Sequence, residues 1–432
     1  MKNLSINLKI VFIEIYFILF ILKFYLKIIH GRIDIVTQHN SRHDLWIIAA
    51  GYLAAIHVGK LSPILPILQK QLDLNLAQAG LALSLVQAAG MLFALCLGSF
   101  SEKVGLKQCF IAGLVILGCA SLSGVFIHSL FSLFFFRFFE GIGFLLITLT
   151  APAILKRICD PQKMNVKMGI WGSYMGLGVG IAMLSIPLLL QYFSWQHIWF
   201  GLGLLCLGFA AIVQVLLRLP RTHSTQTSSL SFLSVVKMTL RHAPVVCLAI
   251  IFAAYTSQWL TVIGFLPSIY LNAKIDFQVA GILTALVSIS NIAGTLAAGA
   301  LLHHGITAKK LIITGFLTMC TMCFVMFVFN QYLPFPIQYL SVIIFSAVGG
   351  LIPATVFAIT LNYAPHPNAI AASVGLVLQI SAFGQFILPP LSGMLVSYTH
   401  NWSNIVWITT ALSLLGIGAV WQLFKAYPLK IQ

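Results

Sequence analysis

Three side chains carry full charge inside otherwise apolar stretches of this chain: Lys60, Arg137 and Glu140. A charged group at bilayer depth is costly, and by default it marks a functional site. Arg137 and Glu140 stand three residues apart, one helical turn, so they can pair on one face. That pairing is either a structural ion pair near the outer end of its helix or the edge of a cavity in which Arg137 serves an anion or a proton. Lys60 has no acidic residue on its own stretch. It either snorkels toward the nearer interface, since the stretch ends by Pro66, or faces a cavity and binds an anion. His57, almost one turn earlier, would then be its titratable neighbour. If all three charges face one cavity, its fixed charge is +1 (two cations minus one anion), which favours a small anionic ligand.

The elements that must position these groups follow from composition. Hydrophobic residues make up 60% of the chain and charged residues 7%, where a soluble domain carries roughly a quarter. Such a chain has lipid as its solvent. About 20 apolar residues span the hydrocarbon as a helix. Twelve windows qualify: 45–66, 77–99, 108–128, 131–155, 168–191, 197–217, 244–270, 279–302, 311–330, 338–361, 369–397 and 404–424. The net charge of +16 would suggest nucleic acid on a soluble chain, but here the basic residues sit mostly in short gaps between apolar runs. Even-numbered gaps carry Lys103, Lys107, Lys156, Arg157, Lys163, Lys167, Arg218, Arg221, Lys237, Arg241, Lys309 and Lys310, and the tail adds Lys425 and Lys430. The opposite side has only Lys70 and Lys274. By the positive-inside rule, both ends of the twelve-span core are expected in the cytoplasm.

The expected organisation is an extension at 1–44, a six-helix bundle at 45–217, a cytoplasmic linker at 218–243, a second bundle at 244–425 and a tail at 426–432. Residues 10–22 are apolar but short for a span, and they read as an interfacial helix or as sequence upstream of a mis-called start. No A-x-A-like site follows, so a cleaved signal peptide fits poorly. The eight cysteines, including the Cys320/Cys323 pair, read as small buried hydrophobes. The halves also repeat. Pro66 matches Pro267, Gly80 matches Gly281, Gly98 matches Gly299 and Pro152 matches Pro353, all at an offset of 201. Six spans in each copy imply an axis along the membrane normal, with a substrate site where the halves meet near mid-bilayer. The offset sets Gln258 opposite His57 and Thr261 opposite Lys60, beside Trp259. Two such polar patches suit a central site.

After the second span the chain reads Gly98-Ser-Phe-Ser-Glu102-Lys103-Val-Gly105-Leu-Lys107. It resembles the signature loop of the major facilitator superfamily, with Glu and Lys where Asp and Arg are usual. The counterpart Gly299-Ala-Leu-Leu-His303-His304-Gly305 has lost the acidic residue. Other segments resemble the branch that contains cyanate and nitroimidazole permeases. They are Gly59-Lys60-Leu-Ser-Pro63, Arg137-Phe-Phe-Glu140-Gly141, Gly169-Ile-Trp171-Gly172-Ser-Tyr174 and Gln379-Ile-Ser-Ala-Phe-Gly384-Gln385. The fifth span lacks the G-P-x-x-G-G run of proton-coupled drug antiporters, which makes multidrug export less attractive.

The resemblance implies an all-α membrane protein of the major facilitator fold, in the inner membrane, that moves a small solute by alternating access as a monomer. It implies no cofactor, no metal and no enzymatic activity. Gly98, Glu102, Lys103, Gly105 and Lys107 would form the gating loop. His57, Lys60, Arg137, Glu140, Gln258 and Trp259 are the candidate substrate contacts, with Trp171, Tyr174, Gln379, Asn291 and Gln385 as weaker ones. The +1 sum favours a small anion, such as an organic acid or a cyanate-like species, with a proton as coupling ion and Glu140 and His57 as its candidate carriers. The alternatives are an efflux carrier for a hydrophobic compound and a non-transporting receptor on the same fold. A membrane enzyme finds support only in the His39…Asp44 spacing, with no P-loop, HExxH or GxSxG present.

Overall fold

A computed structural model describes residues 43–159, 167, 170–217, 232–329, 332–360, 362–366 and 369–427. The extension before residue 43, most of the linker, Lys163 and the last residues of the tail lie outside the described residues, as do the side chains of Glu102 and Lys103. Each of the twelve windows carries an apolar helix. These are α1 (Asp44–Leu72), α2 (Leu76–Leu97), α3 (Leu106–Phe126), α4 (Leu130–Ile158), α5 (Tyr174–Leu189), α6 (Trp195–Leu216), α7 (Ala243–Asn272), α8 (Phe277–His303), α9 (Ala308–Phe327), α10 (Phe335–Thr360), α11 (Ala372–Thr399) and α12 (Trp402–Ala426). Among the described residues, eleven helices are long and apolar enough to cross a membrane, and α5 is a shorter apolar helix. The helix ends are capped where polar residues permit. Asn75 and Gln78 form a capping box at α2, and Ser129 and Ser132 form another at α4.

Three helices are less regular than an unbroken span. The first has a turn at Lys60, the tenth a turn at Gly350, and α2 contains a 3₁₀ segment at Leu85–Gln87. A 3₁₀ stretch in mid-helix is a common place for a hinge. The linker is not wholly irregular either, because Phe232–Arg241 forms a short helix. Its Val235 and Val236 pack on the second-half core while Leu233 and Leu240 stay exposed.

The duplication inferred from sequence has a physical counterpart. Pro66 and Pro267 lie inside α1 and α7 at equivalent points. Gly80 of α2 lies where a Cβ would stand 2.5 Å from the Pro389 carbonyl of α11, and Gly281 of α8 lies where a Cβ would stand 2.5 Å from the Pro187 ring of α5. The same glycine in each copy therefore lets a first-half helix meet a second-half helix. The α2–α11 seam runs from Leu76 against Gly393 to Leu95 against Gly375. The α5–α8 seam runs from Pro187 against Gly281 to Gly172 against Thr295. Gly80→Val and Gly281→Val should each destabilise the protein by about 1–3 kcal/mol through overpacking against a proline. A thermal melt in detergent checks this, and unchanged melting in both variants would contradict the packing described.

Candidate functional site

Lys60, Arg137, Glu140 and His57 meet in one fully buried cluster. The Lys60 ammonium donates to Ser121 Oγ of α3 at 2.8 Å, faces His57 Nδ1 at 3.1 Å and pairs with Glu140 Oε1. It also stands 4.0 Å from the centroid of the Trp199 ring of α6. The other carboxylate oxygen, Glu140 Oε2, accepts from Arg137 Nη1 at 2.7 Å. The same Nη1 donates to the His57 carbonyl at 2.9 Å, and Arg137 Nε donates to the Ala82 carbonyl of α2 at 3.4 Å. His57 Nε2 lies 3.2 Å from Cys206 Sγ of α6. The Ser121 hydroxyl in turn donates to the Trp199 carbonyl at 2.8 Å.

Both sequence readings of Lys60 give way to this geometry. It neither snorkels nor stands free in a cavity but is matched to a carboxylate 80 positions along the chain. The +1 sum survives, enclosed within the first six helices, since every partner named above comes from α1, α2, α3, α4 or α6. Arg137 Nη2 and Trp199 Nε1 are buried donors without a partner.

The remaining candidates fall in two groups. Trp171 stacks on Tyr174 with ring centroids 4.9 Å apart, and Phe144 lies 6.5 Å from Tyr174. Tyr52 OH stands 3.0 Å from Ser173 Oγ between them. Gln258 donates to the Ala254 carbonyl and accepts from Ser413 of α12, Trp259 donates to Ser346 of α10, and Asn291 donates to Tyr255 OH. Those bonds stay within the second half. Gln379 crosses, accepting from the Leu95 backbone N–H of α2 at 3.0 Å. So does Gln385, which accepts from Gln87 at 3.1 Å. In the gating loop, Gly105 has φ 110° and Lys107 donates to the Gln214 carbonyl of α6 at 2.8 Å. Asp44 pairs with Lys167 at 2.6 Å; His39 lies outside the described residues. Ser121, Trp199, Cys206 and Gln87 were not singled out from the sequence. Only Gln87, an amide in an apolar span, offered a signal there.

The sequence profile described as Major Facilitator Superfamily matches residues 46–379, and again 247–430. The chain belongs to this superfamily. It is a multi-pass membrane transporter and not an enzyme. It is 24% identical over 281 residues to the cyanate transport protein CynX of Escherichia coli (strain K12), covering 64% of this chain and 69% of that one. It is 26% identical over 362 residues to the 2-nitroimidazole transporter of Escherichia coli (strain K12), covering 82% of this chain and 88% of the other. Among solved structures it is similar to a D-xylose–proton symporter, with TM-score 0.71, 16% identity and coverage of 89% and 97%. It is also similar to a bacterial homologue of the human lysosomal transporter Spinster, in an inward-facing and occupied conformation, with TM-score 0.65, 15% identity and coverage of 89% and 94%. At those identities the structures speak for the fold alone.

Replacing Glu140 by Gln leaves two enclosed cations without a counter-charge, and removing one partner of a buried pair costs about 3–5 kcal/mol. Glu140→Gln should therefore melt well below the native protein in detergent, and adding Lys60→Met should recover part of the loss. A single variant as stable as the native protein would mean that the cluster holds nothing together.

Proposed function

We propose that the protein is a secondary active transporter of a small monovalent anion, coupled to a proton. It would work as a monomer in the inner membrane, with both ends of the twelve-helix core in the cytoplasm. The observation that carries this reading is the enclosed +1 cluster with Arg137 Nη2 lacking a partner. A net charge held at such depth calls for a mobile counter-charge. The relative named for cyanate transport supports the class of solute. Access to Arg137 runs along α2. Arg137 holds the Ala82 carbonyl, and five residues on Gln87 holds Gln385 of α11, so separation of the halves breaks the second bond and loosens the turn carrying the first.

A second reading, an uncharged aromatic heterocycle, draws on the Trp171–Tyr174 stack and on the relative named for 2-nitroimidazole. Proteoliposomes decide between the two. Labelled cyanate and formate should accumulate under a pH gradient, 2-nitroimidazole should not, and Arg137→Gln should reduce anion uptake at least tenfold. Uptake of 2-nitroimidazole alone, indifferent to Arg137→Gln, would reverse the assignment.

A further inference from the structure

We propose that Lys60 is the group that carries the coupling proton, and that its two charge states make the cycle an electroneutral symport of one anion with one proton. This rests on the anion-carrier reading above. The titratable and charged groups facing Lys60 are His57 on its own helix and Glu140 on α4, with Arg137 behind that carboxylate. Cys206 of α6 lies behind His57, while α3 and α6 otherwise supply the neutral Ser121 hydroxyl and Trp199 ring, and α2 the Ala82 carbonyl. Protonating Glu140 would abandon two cations and raise the cluster from +1 to +2. Protonating His57 would also raise it to +2, though the carboxylate stays ionised. Deprotonating Lys60 takes the cluster from +1 to zero and leaves the Arg137–Glu140 pair intact. In a lipid-enclosed site the cycle that passes through neutrality is the least costly.

The hydrogen-bond supply fits both states of Lys60. An ammonium has three N–H groups, and Ser121 Oγ, His57 Nδ1 and Glu140 Oε1 are its three acceptors. With Nδ1 accepting, the imidazole proton sits on Nε2 and points at Cys206 Sγ. When the Lys60 proton moves to Nδ1 in an access state that admits water to the cluster, the Nε2 proton leaves to that water. His57 then holds its proton on Nδ1, donating to the Nζ lone pair, and the Cys206 S–H turns toward Nε2. One proton has left, and the charge of the cluster has fallen by one. The anion completes the cycle. Protonated Lys60 gives the +1 cluster, and an anion on Arg137 Nη2 cancels it. The loaded protonated form and the empty deprotonated form are both neutral, so the two forms that must reorient carry no net charge.

Cyanate is the probe. Lys60→Arg fixes the charge at +1, so accumulation driven by a pH gradient should fall to the level of protein-free vesicles. Native accumulation should be unaffected by clamping the membrane potential. Cyanate affinity should weaken about tenfold per pH unit above the transition in the native protein, because only the protonated form binds, and stay flat in Lys60→Arg. Accumulation that survives Lys60→Arg, or native uptake that carries charge, would overturn the proposal. A solute-independent arm uses Trp199. Tryptophan fluorescence of the purified protein, titrated between about pH 5 and 10, should show a step that Lys60→Arg and Lys60→Met both remove. A step that persists in both variants would also overturn the proposal. A native protein that shows the step yet moves no small anion would instead sink the anion reading, while supporting Lys60 as the titrating group.

Discussion

A carboxylate shut away among lipid-embedded helices is tolerable only with cations set against it, and Glu140 has Lys60 on one oxygen and Arg137 on the other. The two helices that supply this trio, α1 and α4, do not act alone. Through Ala82, Ser121, Trp199 and Cys206 the same hydrogen bonds reach α2, α3 and α6. Five of the first six helices thus answer to one charge balance. The sixth, α5, lies against α1 through Gly178 and against the second half through Gly180 and Gly281. It takes no part in the ionic web.

The second half repeats the packing but not the charge. His57 reaches from α1 to Cys206 on α6, and its counterpart Gln258 reaches from α7 to Ser413 on α12. Where Lys60 and Glu140 stand in the first copy, the offset of 201 gives Thr261 and Ser341 in the second. One copy holds ions and the other neutral amides and hydroxyls on the same scaffold. Duplication supplied a frame, and at these matched positions the first half holds ionisable side chains where the second holds neutral ones.

Much of this was legible in the sequence. Spans, charges in spans, the repeat and the Arg137–Glu140 turn all follow from hydropathy and local spacing. Lys60 stands out in the sequence but its carboxylate partner does not, because that partner is remote in sequence and belongs to another helix. Ser121, Trp199 and Cys206 were passed over for a related reason. A helix in lipid is apolar all round, so periodicity does not say which side faces its neighbours. Rotation about each helix axis is set by close approaches such as Gly141 on Val86 and Gly143 on Gly113, which become visible only once the helices are packed. The weak candidates Gln379 and Gln385 were placed in the right span, but their bridging role depends on which helix lies opposite.

Among the described residues, the buried ion pairs lie within the first half. The described contacts between the halves include methyl, ring and backbone contact at the glycine seams and the neutral bonds of Gln87 to Gln385 and of Leu95 to Gln379. Dispersion and neutral amide bonds are short-ranged and feel no electrolyte, whereas exposed ion pairs weaken over a Debye length of about 8 Å at physiological ionic strength. The contacts described between the halves are thus of a kind that ionic strength hardly touches, while the charges they leave out lie enclosed within one half.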